Sequence, residues 1–446
     1  METRLFLLFL SLLLNAVAST KYKEELPLTR IAFGSCANQS EPQPIWQAIL
    51  NFDPQVFIWL GDNIYADIKR PSRIVGKERT YGPWKNAPRF LPASIDDMEH
   101  MYAQAKNKPG YAELQSRAKI IGTWDDHDYG LDDSGKELTV KNASQKLFLD
   151  FLDEPISSTR RFQEGVYASY TFGPSNKQVK VILMDTRYHR DPMFSDGDML
   201  GEKQWTWLEQ QLRDNEAQIT IIGSSIQVLP NFSATVQPLF TVESWSHFPN
   251  ERERLFDLLA DTHASGVLFI SGDVHFCEVT RYDCGVSYPL YEFTSSGISH
   301  AVERAVAPPF SFLIRLAAWL TPSTLRVHSS SCRYKSCVYG KENFGTFEID
   351  WDAKPVSIIG RVRDVNGSYV AQEKILLSDL QPRGPANNNL ESIERHCKLE
   401  SDLPWFSKYL LAMVSLGILS GVSFLCLAWL YFMGGWLKKT LKAKLA

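Results

Sequence analysis

Three observations predict an α/β layered fold. Short apolar runs break at Gly, Ser or Asp, helix-compatible stretches separate them, and polar residues gather where the runs end. The runs are RIAFGSC (30–36), VFIWLGDN (56–63), KIIGTWDDHD (119–128), VKVILMDTR (179–187), ITIIGSSIQV (219–228) and GVLFISGDVHF (266–276). Between them lie helix candidates such as PIWQAILNF, KQWTWLEQQLRDN and ERERLFDLLADTH. Beyond residue 285 the pattern turns β-rich, with YPLYEFTSSG, FGTFEIDW and PVSIIGRVRDVNGSYVAQEKILL. These runs are expected to complete a second sheet of the same domain, because no linker appears before QPRGPANNNLES (381–392).

The chain has 446 residues, 44% of them hydrophobic, which suffices for one large domain or two small ones. A net charge of -4 argues against nucleic-acid binding by bulk charge. Residues 1–19 read as a secretory signal peptide, with an early arginine, an apolar core from Leu5 to Leu14 and Ala16-Val17-Ala18 as the cleavage site. A lumenal domain is expected over 20–380, a juxtamembrane linker over 381–408 and a transmembrane helix over 409–432, a stretch of 24 residues without a charge. The tail, 433–446, carries Lys438, Lys439, Lys442 and Lys444, so the positive-inside tendency makes it cytosolic and the protein type I. Lys442 and Lys444 resemble a dilysine endoplasmic-reticulum return signal read by a coat complex; the alternatives are lysines that only set orientation, with the protein in the plasma membrane or another secretory compartment. Four glycosylation sequons, at Asn38, Asn142, Asn231 and Asn366, agree with a lumenal body. Seven cysteines leave at least one unpaired; Cys332 with Cys337 and Cys277 with Cys284 bracket short loops that a disulfide could close.

The run ends carry Cys36, Asp62, Asp126 with His127, Asp185, Gln227, and Asp273 with His275. In α/β sheets functional groups collect at the strands' carboxyl ends, so these residues point to one shared site. WDDHDYGLDD (124–133) puts five aspartates into ten residues. Burying unpaired carboxylates at that density costs several kcal/mol each, so positive charge belongs among them. An EF-hand is excluded, since a loop begun at Asp125 has Gly130 at its sixth position but Lys136 at its twelfth. Salt bridges stay open, although only Lys119 and Lys136 lie close in sequence. Carboxylates, imidazoles and a thiol on neighbouring strand ends suit a metal pair, and two metals can make hydroxide from water and hold a phosphoryl group. Asp62, just after a glycine, is placed to bridge them.

With these motifs the chain resembles the PhoD-like alkaline phosphatases and phosphodiesterases of the metallophosphoesterase superfamily. The matching stretches are FGSC (33–36), GDNIYAD (61–67), WDDHDYG (124–130), DTRYHRD (185–191), GSSIQ (223–227) and SGDVHF (271–276), in the family's order. The resemblance implies a layered αββα metallophosphoesterase sandwich. It implies a metal-dependent hydrolase of phosphate esters, phosphatase or phosphodiesterase, in which metal-bound hydroxide attacks phosphorus. It assigns Cys36, Asp62 and Tyr65 to a ferric ion, and makes Asp62 the bridge to a second, calcium-type metal for which Mg2+, Mn2+ and Zn2+ are alternatives. Asp126, Asp273 and His275 join the metal ligands, His127 protonates the leaving group, and Arg187 clamps phosphate. Asp132 follows the third motif where family members often carry asparagine, which leaves the second metal's identity open.

Three features stand outside the motifs. A cation-rich loop (Lys69, Arg70, Arg73, Lys77, Arg79, Lys85, Arg89) is either solvated surface or a lure for anionic substrates. APPFSFLIRLAAWLTP (307–322) reads as a buried helix, the alternative being a helix on the membrane surface that admits a lipid-like substrate. His189, His247 and His300 are expected to have ordinary structural or surface roles. The substrate is then a small-molecule or lipid phosphate ester. The rival from another class is a membrane-bound binding or scaffold protein that keeps the fold and has lost turnover.

Overall fold

Period-two alternation in the first strands decides what packs where. In β1 (Arg30–Gly34), Ile31 and Phe33 enter one apolar cluster and Ala32 another. In β2 (Val56–Leu60), Val56, Ile58 and Leu60 join the first cluster while Phe57 and Trp59 join the second. Both faces are therefore covered, as buried parallel strands require. The computed structural model describes residues 26–69, 89–193, 195, 197–304, 306, 310–382 and 396–445. The expected signal peptide, most of the cation-rich loop and residues 383–392 of the expected linker lie outside them.

All six sequence runs form strands. After β1 and β2, and a two-residue pair formed by β3 (Ile68–Lys69) and β4 (Arg89–Phe90), come β5 (Lys119–Thr123), β6 (Ala168–Phe172), β7 (Val179–Leu183), β8 (Ile219–Gly223) and β9 (Val267–Ser271). Then follow β10 (Cys277–Tyr282), β11 (Leu290–Ser295), β12 (Asn343–Asp350), β13 (Ser357–Asp364) and β14 (Tyr369–Leu376). One six-stranded sheet runs β14-β13-β12-β1-β2-β5 and the other β10-β11-β9-β8-β7-β6. The late runs expected to complete a second sheet divide between the two: β11 pairs parallel with β9, whereas β12 pairs antiparallel with β1. Gly345 makes the second pairing possible, since a Cβ there would sit 2.1 Å from the Phe33 ring.

The sheets pack face to face through one cluster holding Phe33, Ile58, Phe347 and Ile358 from the first and Val181, Ile221, Ile270 and Phe293 from the second. Phe293 meets Phe347 edge-on at 5.0 Å. The first sheet's outer face is covered by α1 (Ile45–Phe52), α2 (Ile95–Lys106), α3 (Pro109–Arg117) and, beyond the short α4 (Asp126–Tyr129), α5 (Lys141–Phe151). Trp46, Phe57 and Trp59 meet there edge to face, each such pair adding about 0.5–1.5 kcal/mol beyond area burial. Trp205, Leu208 and Leu212 of α6 (Glu202–Arg213) are buried with Leu255 and Leu259 of α8 (Pro249–Asp261), after the short α7 (Ser233–Val236). This gives helices, two sheets and helices in layers.

Three expectations change near the C-terminal end. The helix α9 (Phe312–Leu320) has no buried residue, so the buried-helix reading of 307–322 is corrected. Cys284 pairs with Cys397, not Cys277, which stays free and buried; Cys332 pairs with Cys337. After the short α10 (Trp405–Lys408), helix α11 runs Leu410–Leu445, past the expected end at 432. Its lysine-rich continuation is made of good helix formers. Leu410–Trp436 is long and apolar enough to cross a membrane.

Candidate metal centre

Four strand ends converge because two glycines allow it. A Cβ at Gly61, where φ is 99°, would lie 2.3 Å from the Asp125 Cβ; one at Gly272 would lie 2.4 Å from Ser35 Oγ. Beyond these points the backbone is strained. Cys36, Asp62, Asp133, Asp273 and His275 have φ between 53° and 69°, five of the nine positive-φ residues other than glycine among those described. Such conformations cost about 1–3 kcal/mol each and persist where the surroundings enforce them, often at functional sites.

Cys36, Asp62 and His275 form the first donor group, their ligand atoms all within 4.8 Å of one another. Cys36 Sγ donates to Asp62 Oδ2 at 3.3 Å, and the Tyr65 hydroxyl donates to the same oxygen at 2.9 Å. Asp62 Oδ1 is buried with no hydrogen-bond partner. Burial pushes the Cys36 thiol up to about 12, and burial with the Asp62 charge lifts Tyr65 well above its ordinary value. Thiolate and phenolate at these positions therefore need a cation beside them. His275 Nδ1 lies 2.8 Å from the His300 carbonyl, which fixes Nδ1 as the donor and leaves Nε2 as a lone-pair ligand. Burial, then His127, lowers the His275 pKa to about 4, so the ring is neutral.

Asp62, Asp126 and His127 form the second group, again within 4.8 Å, so Asp62 belongs to both. Asp126 accepts backbone N–H bonds from His127 at 2.8 Å and Asp133 at 2.7 Å. Burial opposes its charge, yet His127, Arg187 and those N–H bonds hold it below the usual carboxylate range. A third group, Asp126, Asp133 and Glu243, extends this oxygen-rich side. His127 Nδ1 is gripped by both oxygens of Asp67, at 2.8 and 2.9 Å. Burial opposes the imidazolium, but Asp126, Asp62 and Asp67 outweigh it and raise the pKa well above the ordinary value. The surroundings thus favour the charged, doubly protonated ring.

The donor set fits a metal pair. It offers a thiol, a phenol and an imidazole on one side, carboxylates on the other, and between them a shared acid with an unpartnered oxygen. Asp273 is placed less centrally. It lies outside these groups, and after burial the charges of Asp125 and Asp126 push its carboxyl well up, which puts it on the carboxylate side. Arg187 is fully enclosed, with Nε 2.6 Å from Asp125 Oδ1 and a terminal nitrogen 2.6 Å from Glu243 Oε2. Its fork is filled by these two carboxylates, which makes it a brace for the acidic wall. Among the other run-end residues, Asp185 caps the backbone N–H groups of Arg187 and Tyr188, and Gln227 donates to Glu278 and Thr294.

The aspartate knot resolves into separate duties. Asp125 takes Arg187, Asp126 faces the site, and Asp128 accepts N–H bonds from Asp125 at 2.6 Å, Asp62 at 3.3 Å and Asn63 at 3.2 Å. Of the two lysines close in sequence, Lys136 pairs with Asp191. Asp67 and Asp128 sit inside recognised motifs, yet nothing local marks them as the His127 grip and the turn clasp. His300 does more than expected, since its ring stacks on Tyr65 at 4.9 Å and its carbonyl orients His275.

Comparison with known proteins gives the family. The family model described as PhoD-like phosphatase matches residues 31–308. Alkaline phosphatase D of Bacillus subtilis is 23% identical over 245 residues, 48% of this chain and 40% of that protein, so the chain spans less than half of this relative's length. The solved structure titled "Structure of PhoD" superposes with a TM-score of 0.53 at 16% identity, covering 88% of this chain and 78% of that one. A Plasmodium structure, "GAP50 the anchor in the inner membrane complex", gives a TM-score of 0.43 at 13% identity, over 84% of this chain and 98% of that one. With the family model covering more than half of its length, the chain belongs to the PhoD-like phosphatase family.

Proposed function

We propose that the protein is a metal-dependent phosphoric ester hydrolase held in a secretory-pathway membrane by α11, its catalytic body on the lumenal side. The observation that carries the reading is Asp62: it belongs to two donor groups and keeps one buried oxygen without a hydrogen-bond partner. Family membership supports it. Cys36, Asp62, Tyr65 and His275 would hold a ferric ion; Asp62, Asp126 and Asp133, with Asp273 beside them, would hold a calcium-type ion. Bound there, the ions would acidify a water and neutralise charge on the phosphoryl oxygens. The chain's own groups do the rest. Asp67 fixes His127 through Nδ1, so Nε2 delivers a proton to the leaving oxygen. Arg187 holds Asp125 and Glu243 in place, keeping the carboxylate wall rigid. The scaffold alternative called for loss of the bridging acid or of both histidines, and Asp62, His127 and His275 are all present.

The test is elemental analysis of the purified full chain and of Asp62→Ala, with p-nitrophenyl phosphate and bis(p-nitrophenyl) phosphate as substrates. Iron and calcium in the wild type, both depleted in the variant together with hydrolysis, are expected. A folded wild type that stays metal-free after incubation with both ions would sink the reading.

A further inference from the structure

The exposed side chains of α9 fall on one face. Phe312, Leu313, Leu316 and Trp319 follow an i, i+1, i+4, i+7 spacing, and Phe312 and Trp319 are 55% and 64% exposed. The flank and the opposite face are engaged. Arg315, the one charged residue of α9, pairs with the buried Glu303 at 2.9 Å and covers the Tyr334 ring. Ala318 joins a cluster with Val274, Phe276 and Phe232. Val274 and Phe276 flank His275, and Phe276 meets Phe232 at 5.3 Å. One layer of apolar side chains thus separates the exposed face from the loop of Asp273 and His275.

That face is continuous with the root of the apolar helix. α9 contacts α11, and α7 contacts both α10 and α11. Near α7, Phe240 is exposed, and on α10 so are Trp405 and Phe406. The segment leading into α10 is fastened to the body. Cys397 is bonded to Cys284; Glu400 accepts from Ser323 at 2.9 Å and from the Asn231 N–H at 3.3 Å; His396 Nδ1 lies 3.0 Å from the Thr324 carbonyl. Ser323 and Thr324 lie just beyond α9, and Asn231 just before Phe232. The body is therefore held at a set position against the helix that enters the membrane. Aromatic and leucine side chains gathered at the root of an apolar helix suit the interfacial zone of a bilayer.

We propose that the α9 face, with Phe240, Trp405 and Phe406, rests on the bilayer crossed by α11, and that the metal centre's substrate is the phosphate ester of a membrane lipid presented from that bilayer. The substrate half rests on the phosphoesterase reading above; the surface half does not.

Two measurements on the full chain in phosphatidylcholine vesicles test it. In a Cys426→Ser background, Trp319→Cys carries a nitroxide, the remaining free cysteines Cys36 and Cys277 being buried. Oxygen collisions exceeding those of a water-soluble nickel chelate are expected. Dominant nickel collisions, or spin–spin broadening from a second copy, overturn the bilayer contact. Next, hydrolysis of phosphatidic acid in the vesicles is compared with hydrolysis of soluble p-nitrophenyl phosphate, a monoester like it. Replacing Phe312 and Trp319 with serine should slow the lipid reaction at least about tenfold and leave the soluble one unchanged. Equal loss on both, or loss on neither, overturns the proposal. A wild type active only on the soluble ester overturns the substrate assignment alone, and one active on neither also overturns the phosphoesterase reading.

Discussion

The two ends of the donor cluster differ in what already occupies them. At the Cys36–Asp62–His275 end the partners are weak and neutral: serine hydroxyls at 3.0 and 3.3 Å from the thiol, and a backbone carbonyl behind the imidazole. At the Asp126–Asp133–Glu243 end, cations are present from the start. Glu243 pairs with Arg187 and Arg190, and Asp133 is exposed. A metal at the first end competes mainly with protons, whereas at the second it competes with two arginines and with water. Sulfur, nitrogen and phenol donors also suit a transition metal, and an all-oxygen group suits a hard, more labile ion. On the proposed reading, the same strand ends would build one tight site and one loose site, joined through Asp62.

Removing the joint should have the largest effect. Asp62→Ala is expected to empty both ends and lower hydrolysis by more than about 10³-fold, because both metals act on one phosphoryl group. Retention of one metal by this variant would break the shared-acid reading. Next comes selective stripping. Dialysis against EGTA should remove the hard ion, leave the transition metal and reduce turnover by roughly 10²-fold, restored by adding calcium. Cys36→Ser should do the converse, which elemental analysis reads directly. Equal lability at the two ends would erase the distinction.

How far this contrast was legible before any coordinates depended on the kind of signal. Strands buried on both faces read as continuous apolar runs, so VFIWL, buried at all five positions, and its five companions were identifiable. Cys36, Asp62 and His275 followed, because each stands where such a run breaks. Pairings across the fold left no local mark. Asp67 reaches His127 sixty residues away, and Cys284 reaches Cys397 across 113. Arg187 is a like case: guanidinium chemistry marks it as an anion binder, and only the fold shows that Asp125 and Glu243 lie against it. For α9, nine mostly apolar residues look alike whether they face a core or an interface, and periodicity does not separate the two.

Smaller effects probe the edge between the two ends, where His127 sits. Asp67→Asn keeps the shape of the grip but lets the ring choose the wrong tautomer. It should lower kcat about 10–100-fold with KM nearly unchanged, and Asp67→Glu should recover part of the loss. A change confined to KM would reassign Asp67 to substrate binding.

Asp132 has the weakest expected influence. Its backbone N–H supports Asp67 at 2.9 Å and is kept in Asp132→Asn, while its carboxylate stands 3.8 Å from His127 Nε2 and is half-exposed. At that distance and exposure the Coulomb attraction is largely screened, on the order of 1 kcal/mol or less. Asp132→Asn should then change kcat by less than about fivefold and leave the transition metal untouched. Calcium retention is the sharper readout. If Asp132 only borders the loose end, the EGTA concentration needed to strip the hard ion will hardly move. If the variant loses that ion at far lower EGTA, the loose end extends through Asp132, and the aspartate found where relatives often carry asparagine is part of the site.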